Sequence, residues 1–108
     1  MKNYFVYILE CSDKSYYTGV TNNLEKRLAE HQSGAIQGYT SIRLPVTLVY
    51  CASFNDINDA IRFEKQIKGW SRKKKEALMR GDFDAIVLLA KIKTKNKNAV
   101  IQSSTGSN

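Results

Sequence analysis

One proline, one tryptophan, one histidine and two cysteines are spread over 108 residues. Each scarcity excludes something. Cys11, Cys51 and the lone His31 make no zinc-ligand spacing. The opening MKNYFVYILECSDK meets a charge after a short apolar run and has no small-residue cleavage site, so it reads as a strand rather than an export signal. The two cysteines are therefore expected as reduced thiols in the cytoplasm. No apolar run approaches the ~18 residues that a membrane-spanning helix needs. There is no glycine-rich phosphate cradle, and no cysteine–histidine pair with a third orienting group. No internal repeat is visible, and the length allows one core and little else.

What the chain does have is positive charge, unevenly placed. The formal net charge is +7. Residues 1–64 hold six Lys/Arg against seven Asp/Glu, whereas residues 65–80 (KQIKGWSRKKKEALMR) hold seven basic residues against Glu76 alone. Four more lysines follow from Lys91 onward without an acid. A basic patch of this kind attracts polyanions by releasing their counterions. Lys68, Arg72, Lys73, Lys74 and Lys75 are the candidate phosphate contacts, although a solvated helix face would look the same.

The pattern of residues predicts an α+β fold: a three-stranded antiparallel β-sheet flanked by helices, in the order β-β-α-β-α-α-α. Tyr4–Leu9 reads as a strand apolar on both faces, and Tyr16–Val20 as its returning partner. Pairing Tyr7 with Tyr17 places two phenols side by side and makes Cys11-Ser12-Asp13 the turn. A helix follows, capped by Asn22 or Asn23 and ended by Gly34, with Leu24 and Leu28 on its apolar stripe. Residues 46–50 (VTLVY) are a third strand. A second helix starts at Asn55 or Asp56 and buries Ile57, Ala60, Ile61 and Ile67. Ser71 caps a short basic helix ended by Gly81, and Asp82 or Asp84 caps a last one. Trp70 suits a core anchor better than a base-stacking platform. One domain over residues 1–90 and a basic, disordered tail over 91–108 are expected.

Five polar residues stand out of place. Tyr7 and Tyr17 share a hairpin. Arg27 and His31 fall on the apolar side of the first helix, at i+3 and i+7 from Leu24. Glu64 lies near the centre of the second helix's buried stripe. A buried carboxylate needs a cation, a proton or a metal, and a structural salt bridge to Arg27 would also satisfy it. Together the five offer what phosphodiester hydrolysis requires. A carboxylate can hold Mg²⁺ while water completes the shell, and the metal polarises the phosphate. Arginine presents a planar fork to phosphate. A phenol or imidazole can orient or deprotonate water. A free phenol titrates near 10 and imidazole near 6.5, so His31 is the better tuned base.

These residues carry a resemblance. Phe5-Val6-Tyr7, Tyr17-Thr18-Gly19, LEKRLAEHQSG with Arg27 and His31, and DAIRFEKQIKGWSRKKKEALM with Glu64 resemble the GIY-YIG endonuclease superfamily over roughly residues 3–90. Within it the chain is most similar to small stand-alone bacterial members, related to the N-terminal domain of the excision-repair excinuclease. The resemblance implies that Tyr7 and Tyr17 face one active site, that Gly19 permits close backbone approach, that Arg27 binds the scissile phosphate, and that Glu64 holds one Mg²⁺ or Mn²⁺. His31 resembles the histidine of the branch that includes junction nucleases. Phe5 stands where the name motif has glycine, and Thr18 where it has isoleucine. Val20 stands where the excision-repair branch has lysine, which argues against that branch.

The expected function is a metal-dependent endonuclease acting on DNA, in repair or recombination, with Tyr7, Tyr17, Arg27, His31 and Glu64 catalytic and Gly19 beside the substrate. The alternative is a non-catalytic nucleic-acid-binding module with the same fold. The expected partner is nucleic acid, with no membrane. A homodimer or a recruiting protein is compatible with either reading.

Overall fold

The computed structural model describes residues 3–91. The elements are β1 (Tyr4–Glu10), β2 (Tyr16–Thr21), α1 (Leu24–Gln32), β3 (Thr47–Phe54), α2 (Ile57–Lys68) and α3 (Arg72–Arg80), then a fourth helix, α4, over residues 83–91. The three strands form one antiparallel sheet in the order β2-β1-β3. The α+β class and element order match the sequence expectation. The tail expected over residues 91–108 lies almost entirely outside the described residues.

The central position of β1 follows from its side chains. Val6 and Ile8 point to one face, Tyr7 and Leu9 to the other, and all four are fully buried. Only a strand with both faces covered takes such a run. Tyr7, Leu9 and Cys11 pack with Val46, Leu24, Leu28 and Leu44, so α1 and the loop after it cover that face. On the opposite face α2 lies across all three strands. Its Phe63 ring meets Phe54 of β3 at 5.4 Å, and Phe54 pairs with Tyr4, which shares the face of Val6 and Ile8. Ala60 and Ile67 are buried as expected. Ile57, by contrast, is exposed, because it sits in the first turn where the helix leaves the sheet.

The hairpin register differs from the expected one. Tyr7 pairs with Gly19 and Leu9 with Tyr17, two residues away from a Tyr7–Tyr17 pairing. The cause is the turn. Lys14 N–H donates to the Cys11 carbonyl and Cys11 N–H to the Ser15 carbonyl, while Lys14 takes the left-handed region at φ 70°. This is a three-residue loop closed by a left-handed residue, normally signalled by glycine. Here Asp13 supplies the stabilisation, accepting from Ser15 N–H at 3.0 Å. A two-residue slip preserves the face, so both phenols still point the same way.

Strand β3 runs to Phe54 rather than stopping at Tyr50. Cys51, Ala52 and Ser53 are weak strand formers, but they pair with Tyr7, Val6 and Phe5. The partner strand overrides propensity. A register irregularity between Ile8 and Leu9 accommodates the longer strand.

The helix ends follow local chemistry. Asn23 Oδ1 accepts from Lys26 N–H, Asp56 Oδ1 from Asn58 N–H, and Ser71 Oγ from Lys74 N–H. Gly34, at φ 77°, ends α1: its N–H donates to the His31 carbonyl and Ala35 N–H to the Glu30 carbonyl, the reciprocal pattern that needs a left-handed residue. The chain divides into two compact units between Trp70 and Ser71. In the second, Ala77 and Leu78 are buried on α3, and Asp82 Oδ1 accepts from Ala85 N–H to start α4. No described helix is long and apolar enough to cross a membrane.

Candidate active site

Four of the five singled-out residues meet on the α1 face of the sheet. Tyr7 stands at the middle of β1, directly opposite Gly19. A Cβ on Gly19 would lie 2.5 Å from Tyr7 Cζ and closer still to the hydroxyl oxygen. The glycine is therefore required for the phenol to lie flat across β2. The close approach that the resemblance assigned to a substrate is made here by the Tyr7 ring.

The Tyr7 hydroxyl is 2.9 Å from His31 Nε2. His31 reaches it from the last turn of α1 and is fully buried. Its other nitrogen, Nδ1, is 2.8 Å from Thr40 Oγ1, and Thr40 is only 1% exposed. Tyr17 is half-buried, its ring 5.2 Å from that of His31 and 6.4 Å from that of Tyr7. Arg27, one turn before His31, pairs through Nε with Glu30 Oε1 at 3.3 Å, and its charge acts on the Tyr7 phenol. Its side chain remains 38% exposed.

The electrostatics follow from burial. Desolvation, with the neighbouring Tyr17 adding to it, pushes the Tyr7 phenol up to about 12, and Arg27 only partly offsets this. Tyr7 is thus a neutral phenol at ordinary pH. Burial, helped by the Arg27 charge, holds His31 below the usual imidazole range, with Glu30 opposing. A neutral imidazole facing a neutral phenol can accept its proton.

A second layer fixes the loop over residues 34–46. Tyr39 stacks on Tyr17 at 6.3 Å, and the Arg43 guanidinium lies 3.9 Å over the Tyr39 ring. Arg43 also pairs with Asp13 at 3.0 Å and donates to the Tyr39 carbonyl at 2.9 Å. Ser12 N–H donates to the Arg43 carbonyl, and the Gln32 side-chain amide donates to the Val46 carbonyl. These contacts tie the hairpin tip to the loop that carries Thr40. Thr40, Tyr39, Arg43 and Glu30 do not stand out in the sequence. Glu30 was findable as the i+3 partner of Arg27, while the loop residues carry no periodic signal.

Glu64 is not part of the Tyr7–His31 network. It is 9% exposed, in the middle of α2, and its ion-pair partner is Lys68 at 3.4 Å, one turn on, rather than Arg27. Lys68 is 62% exposed and can swing into solvent. No described group of three His, Cys, Asp or Glu could cage a metal. A single carboxylate fits a hard cation that keeps most of its waters, such as Mg²⁺ or Mn²⁺, and not a zinc site. Of the basic residues of α3, Lys73 is exposed and Arg72 pairs with Glu76 at 3.2 Å. Cys11 and Cys51 are both free thiols.

Known proteins resemble the chain over most of its described length. Residues 3–77 match the model of the GIY-YIG catalytic domain. A UPF0213 protein of Halobacterium salinarum is 49% identical over 73 residues, covering 68% of this chain and 95% of its own. The UPF0213 protein YsiG of Lactococcus lactis is 42% identical over 101 residues, covering 93% and 97%. A protein of E. faecalis solved in solution by NMR is 34% identical, with a TM-score of 0.54 over 75% of this chain and 86% of its own. With the sheet, the two phenols and the arginine helix in place, the chain belongs to the GIY-YIG catalytic domain family, a family of nucleases.

Proposed function

We propose that this chain is a divalent-metal-dependent endonuclease that hydrolyses DNA phosphodiester bonds, acting in repair or recombination. The observation that carries the reading is the buried Tyr7–His31 hydrogen bond, with the Arg27 charge near enough to act on both groups. A purely structural core has little use for a neutral imidazole hydrogen-bonded to a phenol beside an arginine, because the buried polar atoms of both rings must be desolvated.

Arg27, already partly in solvent, binds the scissile phosphate with its planar donors. Tyr7 then takes a proton from the attacking water while its own proton passes to His31 Nε2. A phenol of pKa about 12 is a poor acid at neutral pH, but it relays a proton well when the imidazole beyond it is empty. The hydroxide attacks phosphorus, the P–O bond to the leaving sugar oxygen breaks, and that oxygen takes a proton from solvent. Tyr17, the half-buried phenol, contacts the phosphate or the water. Glu64, on the α2 side of the sheet, would hold a cation once Lys68 swings aside, and that cation would supply counter-charge to the bound phosphodiester. Lys68, Arg72, Lys73, Lys74 and Lys75 contribute sequence-independent backbone attraction.

The test is cleavage of linear, nicked, single-stranded and branched DNA with Mg²⁺ or Mn²⁺, comparing wild type with Glu64→Ala. Wild type should cut at least one substrate, chelation should stop it, and Glu64→Ala should be slower by roughly 100-fold or more at unchanged fold. Equal cutting by both proteins would overturn the metal role. Binding without cleavage under either metal would make the chain a nucleic-acid-binding module.

A further inference from the structure

The histidine in the relay can work only in one of its two neutral forms. Nε2 must be bare to take the Tyr7 proton, so Nδ1 must carry the hydrogen. The two hydroxyls flanking the ring select that form. His31 Nε2 lies 2.9 Å from the Tyr7 hydroxyl and Nδ1 lies 2.8 Å from Thr40 Oγ1, so one hydroxyl donates to the bare nitrogen and the other accepts from the protonated one. A phenol, with an ordinary pKa of about 10, is a far stronger donor than an aliphatic hydroxyl, and the aliphatic hydroxyl is the better acceptor. The phenol hydrogen therefore goes to Nε2. That leaves Nδ1–H pointing at Thr40 Oγ1, 2.8 Å away.

We propose that Thr40 is a positioning residue of this site: its hydroxyl oxygen accepts Nδ1–H of His31 and keeps Nε2 free as the acceptor for Tyr7. Thr40 is 1% exposed and is not placed by chance. Its carbonyl accepts from Arg43 N–H at 2.9 Å, and Arg43 is held by the Asp13 carboxylate and the Tyr39 ring. The hairpin tip, the aromatic stack and the loop thus converge on the atom that sets the imidazole's tautomer. This is the role of a group that orients a proton-transferring histidine without touching the reacting atoms. What it does for catalysis rests on the nuclease reading above; the tautomer itself does not.

The experiment needs no substrate. His31 is the chain's single histidine, so its ring nitrogens give one unambiguous set of signals in a long-range ¹H–¹⁵N correlation spectrum of the ¹⁵N-labelled full chain. At mildly alkaline pH, wild type should show Nδ1 protonated and Nε2 bare. Thr40→Val, which keeps the shape and removes the acceptor, should shift the proton toward Nε2, and Thr40→Ser should restore the wild-type pattern. A wild-type spectrum with the proton on Nε2 would overturn the proposal without any variant, whether or not the protein cuts DNA. So would an unchanged tautomer in a Thr40→Val protein whose amide spectrum shows the native fold. A chain with the expected tautomer but no cleavage would leave Thr40's placement standing and count against the nuclease reading alone.

Discussion

Thr18 is 3% exposed on the α2 side of β2, and its hydroxyl has no hydrogen-bond partner. A buried orphan hydroxyl costs about 1–3 kcal/mol. Thr18→Val should therefore stabilise the domain by about 1 kcal/mol, read as a higher midpoint in urea at unchanged slope. A lower midpoint would mean that the hydroxyl is satisfied. His31 carries a second prediction. Its folded pKa is depressed below 6.5 by burial and by Arg27, against the opposing Glu30, with Tyr7 and Tyr17 alongside. Below 6.5 the unfolded chain binds a proton that the native one refuses. Stability is thus full above that value and falls as the pH drops from about 6.5 toward the lower folded pKa. His31→Gln should flatten that part of the profile in urea titrations at several pH values; a slope that survives would belong to another group. At this scale the sequence was informative where a polar residue interrupts an apolar stripe. Arg27, His31 and Glu64 were visible for that reason. Thr40 was not, because its importance depends on an Asp13–Arg43 contact spanning 30 residues.

At the scale of elements, the helices were legible to within a residue, since Asn23, Asp56 and Ser71 cap them with their own side chains. The strands were less so. The hairpin register hinged on Lys14 adopting a left-handed conformation that no glycine announced, and the length of β3 was set by its neighbour. The phenols still reached one face because strand alternation is indifferent to a two-residue slip. The partner of Glu64 was local for a similar reason: Lys68, one turn away on the same helix, wins over the longer reach to Arg27. Helix α3 shows a different tension. Its first turn holds Arg72, Lys73, Lys74 and Lys75 and no acid, where the helix dipole disfavours cations by about 0.3–1 kcal/mol each. Replacing Lys73, Lys74 and Lys75 with glutamine should therefore leave the helix at least as stable while weakening DNA binding. The slope of log affinity against log salt should fall by up to about 3. An unchanged slope would remove α3 from the interface.

For the molecule as a whole, a small sheet holds two tyrosines, an arginine and a histidine on one side, and the helix on the other side carries a carboxylate suited to a hard cation. Most of this was readable as a pattern of residue types; the proton path through them was not, because it depends on which atoms face which. The central claim is that the Tyr7 hydroxyl relays the proton of the attacking water to His31. Tyr7→Phe keeps the ring over Gly19 and removes that oxygen alone. The most direct measurement is the single-turnover cleavage rate of Tyr7→Phe beside wild type, on whichever DNA wild type cuts, with binding measured in parallel. The relay predicts a loss of about 100-fold or more in rate at near-native affinity. A Tyr7→Phe protein that cuts as fast as wild type would contradict it.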